Sequence, residues 1–265
     1  MISLRRPLDL LLELPPPVRP VVRVASAGIS SAVLYAGMSS EIRFRNIDED
    51  RRESWIRAWA RVVCTSLRVD IVRAPGPKPA EQAPKVARVV VANHRSMIDI
   101  PVFLDMFGGH MLARGDMAGW PGMGTLATIA GTVYVDRSDP VSGAGAVQRM
   151  RELLRGGRTL GVFPEGTTFD GDVVRPFHAG AFITAARERC QVVPAGLAYE
   201  DPGAFFGDES FGTHARRLLA MKRIRVAVAV GTPIDPSGLR LKALTERAHD
   251  EVQTLVHAAR AMLSR

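Results

Sequence analysis

Asn93-His94-Arg95-Ser96-Met97-Ile98-Asp99 is a polar stretch set between two apolar ones. Residues 86–91 before it are valine-rich, with only Ala87 and Arg88 interposed, and read as a buried strand. After it, Ile98, Pro101, Val102, Leu104 and Met106 predict a helix from Met97 onward. His94 therefore falls where a strand hands over to a helix, a place where side chains project into a cleft rather than a core. On one continuous helix the five-residue spacing would turn His94 and Asp99 apart by about 140°. They meet if His94 is still in the turn and the chain curls back. In that geometry the carboxylate holds one imidazole nitrogen while the other accepts a proton, the pairing of a general base with its orienter. The competing reading is a capping Asn or Ser beside a surface histidine.

Three further stretches bear on this. Gly131-Thr132-Val133-Tyr134-Val135-Asp136-Arg137 is a short strand ending in charge. Phe163-Pro164-Glu165-Gly166-Thr167-Thr168 follows a strand over 159–162, and Val192-Val193-Pro194-Ala195-Gly196-Leu197 is a third strand-like run. With these blocks the chain resembles the PlsC-type 1-acylglycerol-3-phosphate acyltransferases, whose motifs are NHxxxxD, a G…FIDR block, FPEGTR and a V-P block. All four stand in the family's order over residues 86–199.

The resemblance implies an α/β fold with a mixed central β-sheet flanked by helices. It also implies acyl transfer from an acyl thioester, acyl-CoA or acyl carrier protein, to the free hydroxyl of a lysolipid acceptor. His94 would take the hydroxyl proton and Asp99 would orient it. No cofactor beyond the co-substrate and no metal is expected. Arg137 is assigned to the acceptor's phosphate, because a guanidinium offers bidentate donors. Glu165 either binds the acceptor's hydroxyls or fixes its loop by accepting backbone N–H bonds. Gly166 leaves room for the substrate, with Thr167 beside it. Two cations of the family pattern are missing, since Thr168 and His178 stand in their places; Arg114 and Arg175 are candidate substitutes.

Lysophosphatidate, giving phosphatidate in phospholipid synthesis, is the first expectation for the acceptor. Lyso-ornithine lipid, whose head group carries no phosphate, is the alternative. A lipid-binding relative without activity is disfavoured by the intact His94 and Asp99, and a thioesterase would waste a lipid-accepting cleft on water. No Gly-x-Ser-x-Gly elbow is present to carry an acyl-enzyme.

Composition agrees with this assignment. A chain of 265 residues with 46% hydrophobic and 6% aromatic residues suits one aliphatic-cored α/β unit. The net charge of +8 favours anionic partners. Without RNP-like aromatic strands or zinc-finger spacing, lipid and phosphate are better candidates than nucleic acid, and no nucleic-acid partner is expected. Cys64 and Cys190 lie far apart among apolar neighbours, as buried free thiols of a reducing compartment.

Towards the N-terminus, residues 24–40 carry no charge for seventeen residues and are flanked by arginines. A full span needs about 20 apolar residues, and this run includes serines and two glycines. An interfacial or re-entrant helix dipping into one leaflet is expected, with a true span next. Residues 48–67 form an amphipathic helix whose Trp55 and Trp59 either meet the membrane interface or pack on the domain. The chain thus divides into a helical membrane-associating segment, 1–67, and an α/β acyltransferase domain, 68–265. The expected location is the cytoplasmic face of the inner membrane. Gly122-x-Gly124-x-x-Ala127 superficially matches a dinucleotide fingerprint but lacks the βαβ context. Helices are expected at 141–154, 181–186 and 239–263, and a strand at 224–230.

Overall fold

In the computed structural model the described residues are 15, 17–45, 47–75, 78–81, 86–119, 124, 127–128, 131–136 and 139–264. Seven strands form one sheet: β1 (Val69–Arg73), β2 (Arg88–Ala92), β3 (His110–Arg114), β4 (Val133–Val135), β5 (Thr159–Val162), β6 (Gln191–Tyr199) and β7 (Ile224–Val230). Their order is β1-β7-β6-β2-β5-β3-β4. Every neighbouring pair is parallel except β6 and β7, so the sheet is mixed, as expected.

Strand β2 is central because it has no polar face to expose. Val89 and Val91 bury on one side of the sheet, Val90 and Ala92 on the other. Such a continuous apolar strand is what a parallel sheet covered on both faces requires. It starts at Arg88, two residues later than its apolar run, because register with Thr159 and Gln191 begins there. Val86 is about half exposed.

Among the described residues the α-helices are α1 (Arg19–Arg45), α2 (Glu49–Ser66), α3 (Asp99–Phe107), α4 (Pro140–Arg155), α5 (Gly180–Arg187), α6 (Phe211–Ala220) and α7 (Leu241–Leu263). On one face, α2, α3 and α6 pack over Val90, Ala92, Val193 and Val226. On the other, α4, α5 and α7 cover Val89, Leu160, Val162 and Val192. In α7 the buried stripe is Leu244, Ala248, Val252, Val256 and Ala259, the repeat of an amphipathic helix. Its backbone lies so close to β6 that a Cβ on Gly196 would stand 2.3 Å from the peptide carbon of Leu255. Only glycine fits there.

Helix α2 belongs to the core: Ile56, Ala60 and Cys64 are buried in the same cluster as Phe103 and Val90. Asp48 caps its N-terminus, accepting from Arg51 N at 2.7 Å. Of its two tryptophans, Trp59 packs against that core cluster, and both reach α1. Trp59 Nε1 donates to Ser31 Oγ at 3.0 Å and Trp55 Nε1 to Glu41 Oε2 at 2.9 Å, both on α1. A second tie comes from Arg23, buried on α1, whose guanidinium donates to the carbonyls of Leu218, Leu219, Met221 and Lys222. It satisfies the orphan carbonyls at the end of α6. Another face of α1 remains outside: Val21, Val24, Ile29, Val33 and Phe44 are exposed. The helix is 27 residues long and apolar enough to cross a membrane.

Candidate active site

The carboxyl ends of β2, β5, β3 and β6 open on one edge of the sheet, where α/β folds place their ligands. Asn93 ends β2 by imitating a strand residue. Its amide donates to Leu197 O at 2.9 Å and accepts from Leu197 N at 2.8 Å. The chain then turns at His94 and enters α3 at Asp99. In this turn His94 Nδ1 and Asp99 Oδ2 stand 2.8 Å apart, so the chain curls back as the spacing required. The same Oδ2 accepts from the backbone N–H groups of Arg95 (2.5 Å) and Ser96 (2.9 Å), and Oδ1 accepts from Tyr199 OH at 2.6 Å. Asp99 is fully buried; the His94 side chain is 17% exposed at the cleft. Phe163 stacks flat on the imidazole at 4.2 Å. With Nδ1 held by the carboxylate, Nε2 is left to face a substrate.

Glu165 sits behind this turn. Its carboxylate takes Arg95 bidentately, at 2.7 and 3.1 Å, and accepts from His94 N (2.6 Å) and Arg175 N (2.7 Å). Of the two roles the sequence leaves open, these contacts are those of loop fixing, and Glu165 is buried. Arg95, fully buried, further donates to the carbonyls of Gly171 and Val173, tying the first motif to the third. A buried ion pair is tolerated when every donor and acceptor is matched like this.

The cleft in front of His94, about 430 Å³, is lined by Gly166, Thr167, Thr168, Arg114, Asp116 and Asp208, among others. Gly166 adopts a φ of +84°, the left-handed turn that keeps this wall low. Arg114 is exposed and forms a fork with Asp116, both bonds 3.1 Å. Glu209, on the same wall, is held by Arg217, whose hydrogen bonds keep its carboxyl below the usual range. Arg175 lies apart from the cleft, exposed and placed over the Phe169 ring at 5.3 Å. Its main-chain N–H, not its guanidinium, reaches the site. Arg137 lies outside the described residues, as does most of 120–126 with Gly122.

A second cavity of about 740 Å³ adjoins the first. Met97, Ile100, Met111, Ala113 and Met117 line both. Its outer wall is α1, through Val24, Gly28, Ser31 and Tyr35, and its floor is Trp59, Ile98 and Leu104.

Neither thiol is an activated nucleophile. Both cysteines are free and buried, and burial pushes Cys64 up to about 12 and raises Cys190. Among the described residues no group of three or more His, Cys, Asp or Glu is placed to hold a metal. Arg95, Tyr199 and His214 are the site residues that sequence reasoning does not single out.

A cleft-facing imidazole backed by a buried carboxylate can deprotonate a hydroxyl brought to it, which is the chemistry that a transferase acting on hydroxyl acceptors needs. Residues 77–198 match the Acyltransferase family. A lyso-ornithine lipid O-acyltransferase of Pseudomonas aeruginosa is 32% identical over 76% of this chain and 78% of its own length. One from Rhodobacter capsulatus is 31% identical over 88% and 93%. A 1-acyl-sn-glycerol-3-phosphate acyltransferase of Neisseria gonorrhoeae is 27% identical over 57% and 61%. The crystal structure of the 1-acyl-sn-glycerophosphate acyltransferase PlsC of Thermotoga maritima shares the fold, with a TM-score of 0.69 over 93% of this chain and 98% of that one at 20% identity. The chain belongs to the PlsC-type acyltransferase family.

Proposed function

We propose that the protein moves an acyl group from an acyl thioester, acyl-CoA or acyl carrier protein, to the free hydroxyl of lyso-ornithine lipid. His94 Nε2 takes the hydroxyl proton while Asp99 steadies the imidazolium through Nδ1. The alkoxide attacks the thioester carbonyl, the C–S bond breaks, and the thiolate recovers the proton from His94. No cofactor or metal enters these steps. Arg114, Gly166 and Thr167 receive the head group.

The observation that carries the choice of acceptor is the charge of the cleft wall. Its described lining holds one guanidinium, Arg114, against three carboxylates, Asp116, Asp208 and Glu209. With Asp116 paired to Arg114 and Glu209 to Arg217, Asp208 is left to repel a phosphate dianion; the ammonium and carboxylate of an ornithine head group suit such a mixed wall. The two relatives that align over 76% and 88% of the chain, named for this activity, support the same reading. It reverses the order set by the motifs alone, which put lysophosphatidate first. Lysophosphatidate remains the second reading on the strength of Arg137 and the Neisseria relative.

The acyl chain of the donor or acceptor would lie in the 740 Å³ cavity. Helix α1 would lay its exposed apolar face in the cytoplasmic leaflet of the inner membrane, where both thioesters are available. The test is an acceptor panel with one acyl-CoA and purified protein in detergent micelles. Acylated ornithine lipid should form fastest; phosphatidate forming instead, with no ornithine product, would reject the assignment.

A further inference from the structure

Behind the His94–Asp99 pair lies a set of buried polar side chains that the steps above do not use. Tyr199, the last residue of β6, is fully buried; its hydroxyl donates to Oδ1 of Asp99 at 2.6 Å, and the Ser96 hydroxyl faces the phenol. Ser96 Oγ is 3.2 Å from Nε2 of His214, itself fully buried on α6 and stacked on Phe206 at 4.4 Å. Nδ1 of His214 stands 3.3 Å from Oε1 of Glu209, which Arg217 holds. From the His94 imidazole the polar contacts therefore run through Asp99 to Tyr199 and, by way of Ser96, to His214 and Glu209 at the cleft wall. Burying so many polar groups is costly unless each is matched, and each of these is.

What the line holds is the second oxygen of Asp99. The first oxygen alone serves His94 and two backbone N–H groups. A carboxylate fixed through one oxygen is free to rock about its Cβ–Cγ bond; a donor on the other oxygen sets its plane. Burial, and then the neighbouring Asp99, push the Tyr199 hydroxyl well above its ordinary value, so it stays a donor throughout the neutral range.

The other charged and titratable groups facing this spot are already committed. Arg95 and Glu165 pair with each other, as do Arg217 and Glu209. Cys64, from α2, is a protonated thiol. His214 is held below its ordinary value by burial and by Arg217.

We propose that Tyr199 is a positioning residue of the acyl transfer: its phenol pins Oδ1 of Asp99 so that Oδ2 stays on the His94 imidazole, with Ser96 and His214 locking the phenol from behind. The proposal rests on His94 being the base, and is independent of which lysolipid is the acceptor.

The test is Tyr199→Phe in the full chain, in mixed micelles, with an acyl-CoA and whichever lysolipid the wild type acylates fastest. kcat should fall about 10- to 100-fold, the usual worth of one hydrogen bond to a charged group, with KM changed by less than about twofold. The acid limb of the kcat/KM profile should move to higher pH. A carboxylate relieved of the phenol draws more strongly on the His94 proton, so the base stays protonated further up the scale. An unchanged kcat, or a lower kcat with the acid limb unmoved, would overturn the proposal. Should Tyr199→Phe fail to fold, Ser96→Ala decides, since it keeps the phenol and removes its second anchor. A fall of about 3- to 10-fold with the limb displaced the same way supports the arrangement, and an unmoved limb rejects it. A fully active His94→Ala protein would instead overturn the base assignment beneath it.

Discussion

Two cavities meet at one wall of methionines, and they differ in almost everything else. The 430 Å³ cleft is bordered by His94, the low turn at Gly166 and four charged side chains. The 740 Å³ chamber beside it is apolar, and a helix of the N-terminal segment closes it. On the proposed reaction the difference would separate the two ends of a lipid substrate: chemistry and head-group choice on one side, hydrocarbon on the other. It also shows that α1 is more than an anchor. Through Arg23, Trp55 and Trp59 it is tied to the α/β unit, and through Gly28 and Ser31 it walls the chamber beside the cleft.

The largest expected effect tests whether the chemistry lies wholly on the polar side. His94→Ala should lower turnover by about 10²- to 10⁴-fold while the protein stays folded, since removing a general base costs that much. Turnover measured beside a circular-dichroism melt checks both halves of this. Near-wild-type transfer would detach the cleft from the reaction and leave the comparison without meaning.

The polar cleft was the more legible of the two. Asn93, His94 and Asp99 sit within seven residues, so a local curl suffices to bring imidazole and carboxylate together, and the spacing allowed them to meet only through that curl. The partners that make the site rigid are remote. Arg95 meets Glu165 seventy residues on, and Asp99 meets Tyr199 a hundred residues on. Nothing adjacent to Tyr199 marks it, because a tyrosine ending an apolar strand reads as packing. Glu165 was recognised, but choosing between substrate contact and loop fixing needed its burial. The start of β2 shifted for the same reason, since register with β5 and β6 is a long-range property. For α1 the sequence marked an uncharged run over 24–40, whereas the helix extends over Arg19–Arg45, and its inner face, lining a chamber, depended on where α2 and α3 lie.

The second prediction sharpens the hydrocarbon side. A Cβ built on Gly28 meets no atom within 4 Å, so a larger side chain there projects into open chamber. Gly28→Leu removes a helix-weakening glycine, so the fold should be unharmed. It should shorten the acyl chains used best. Each methylene denied burial loses about 0.8 kcal/mol, or roughly fourfold in relative kcat/KM. Competition between acyl donors of graded length reads this directly. An unmoved chain-length preference at full activity would show that the chamber holds no acyl chain.

The smallest expected effect is also the one whose sign decides the acceptor. Asp116 and Glu209 are engaged by arginines, whereas Asp208 is exposed on the cleft wall and open to a ligand's ammonium. A contact at so wet a position is weak, because water and salt screen it and the side chain must be held still. Asp208→Asn should therefore raise KM for lyso-ornithine lipid by only about two- to fivefold, with kcat unchanged. For lysophosphatidate the same substitution removes a like charge and should lower KM by a similar factor. Opposite shifts for the two acceptors, shrinking together as ionic strength rises, are what a charge-reading wall produces. Shifts of the same sign would mean that Asp208 supports the loop and reads no head group, and the preference for a phosphate-free acceptor would then have to come from elsewhere in the cleft.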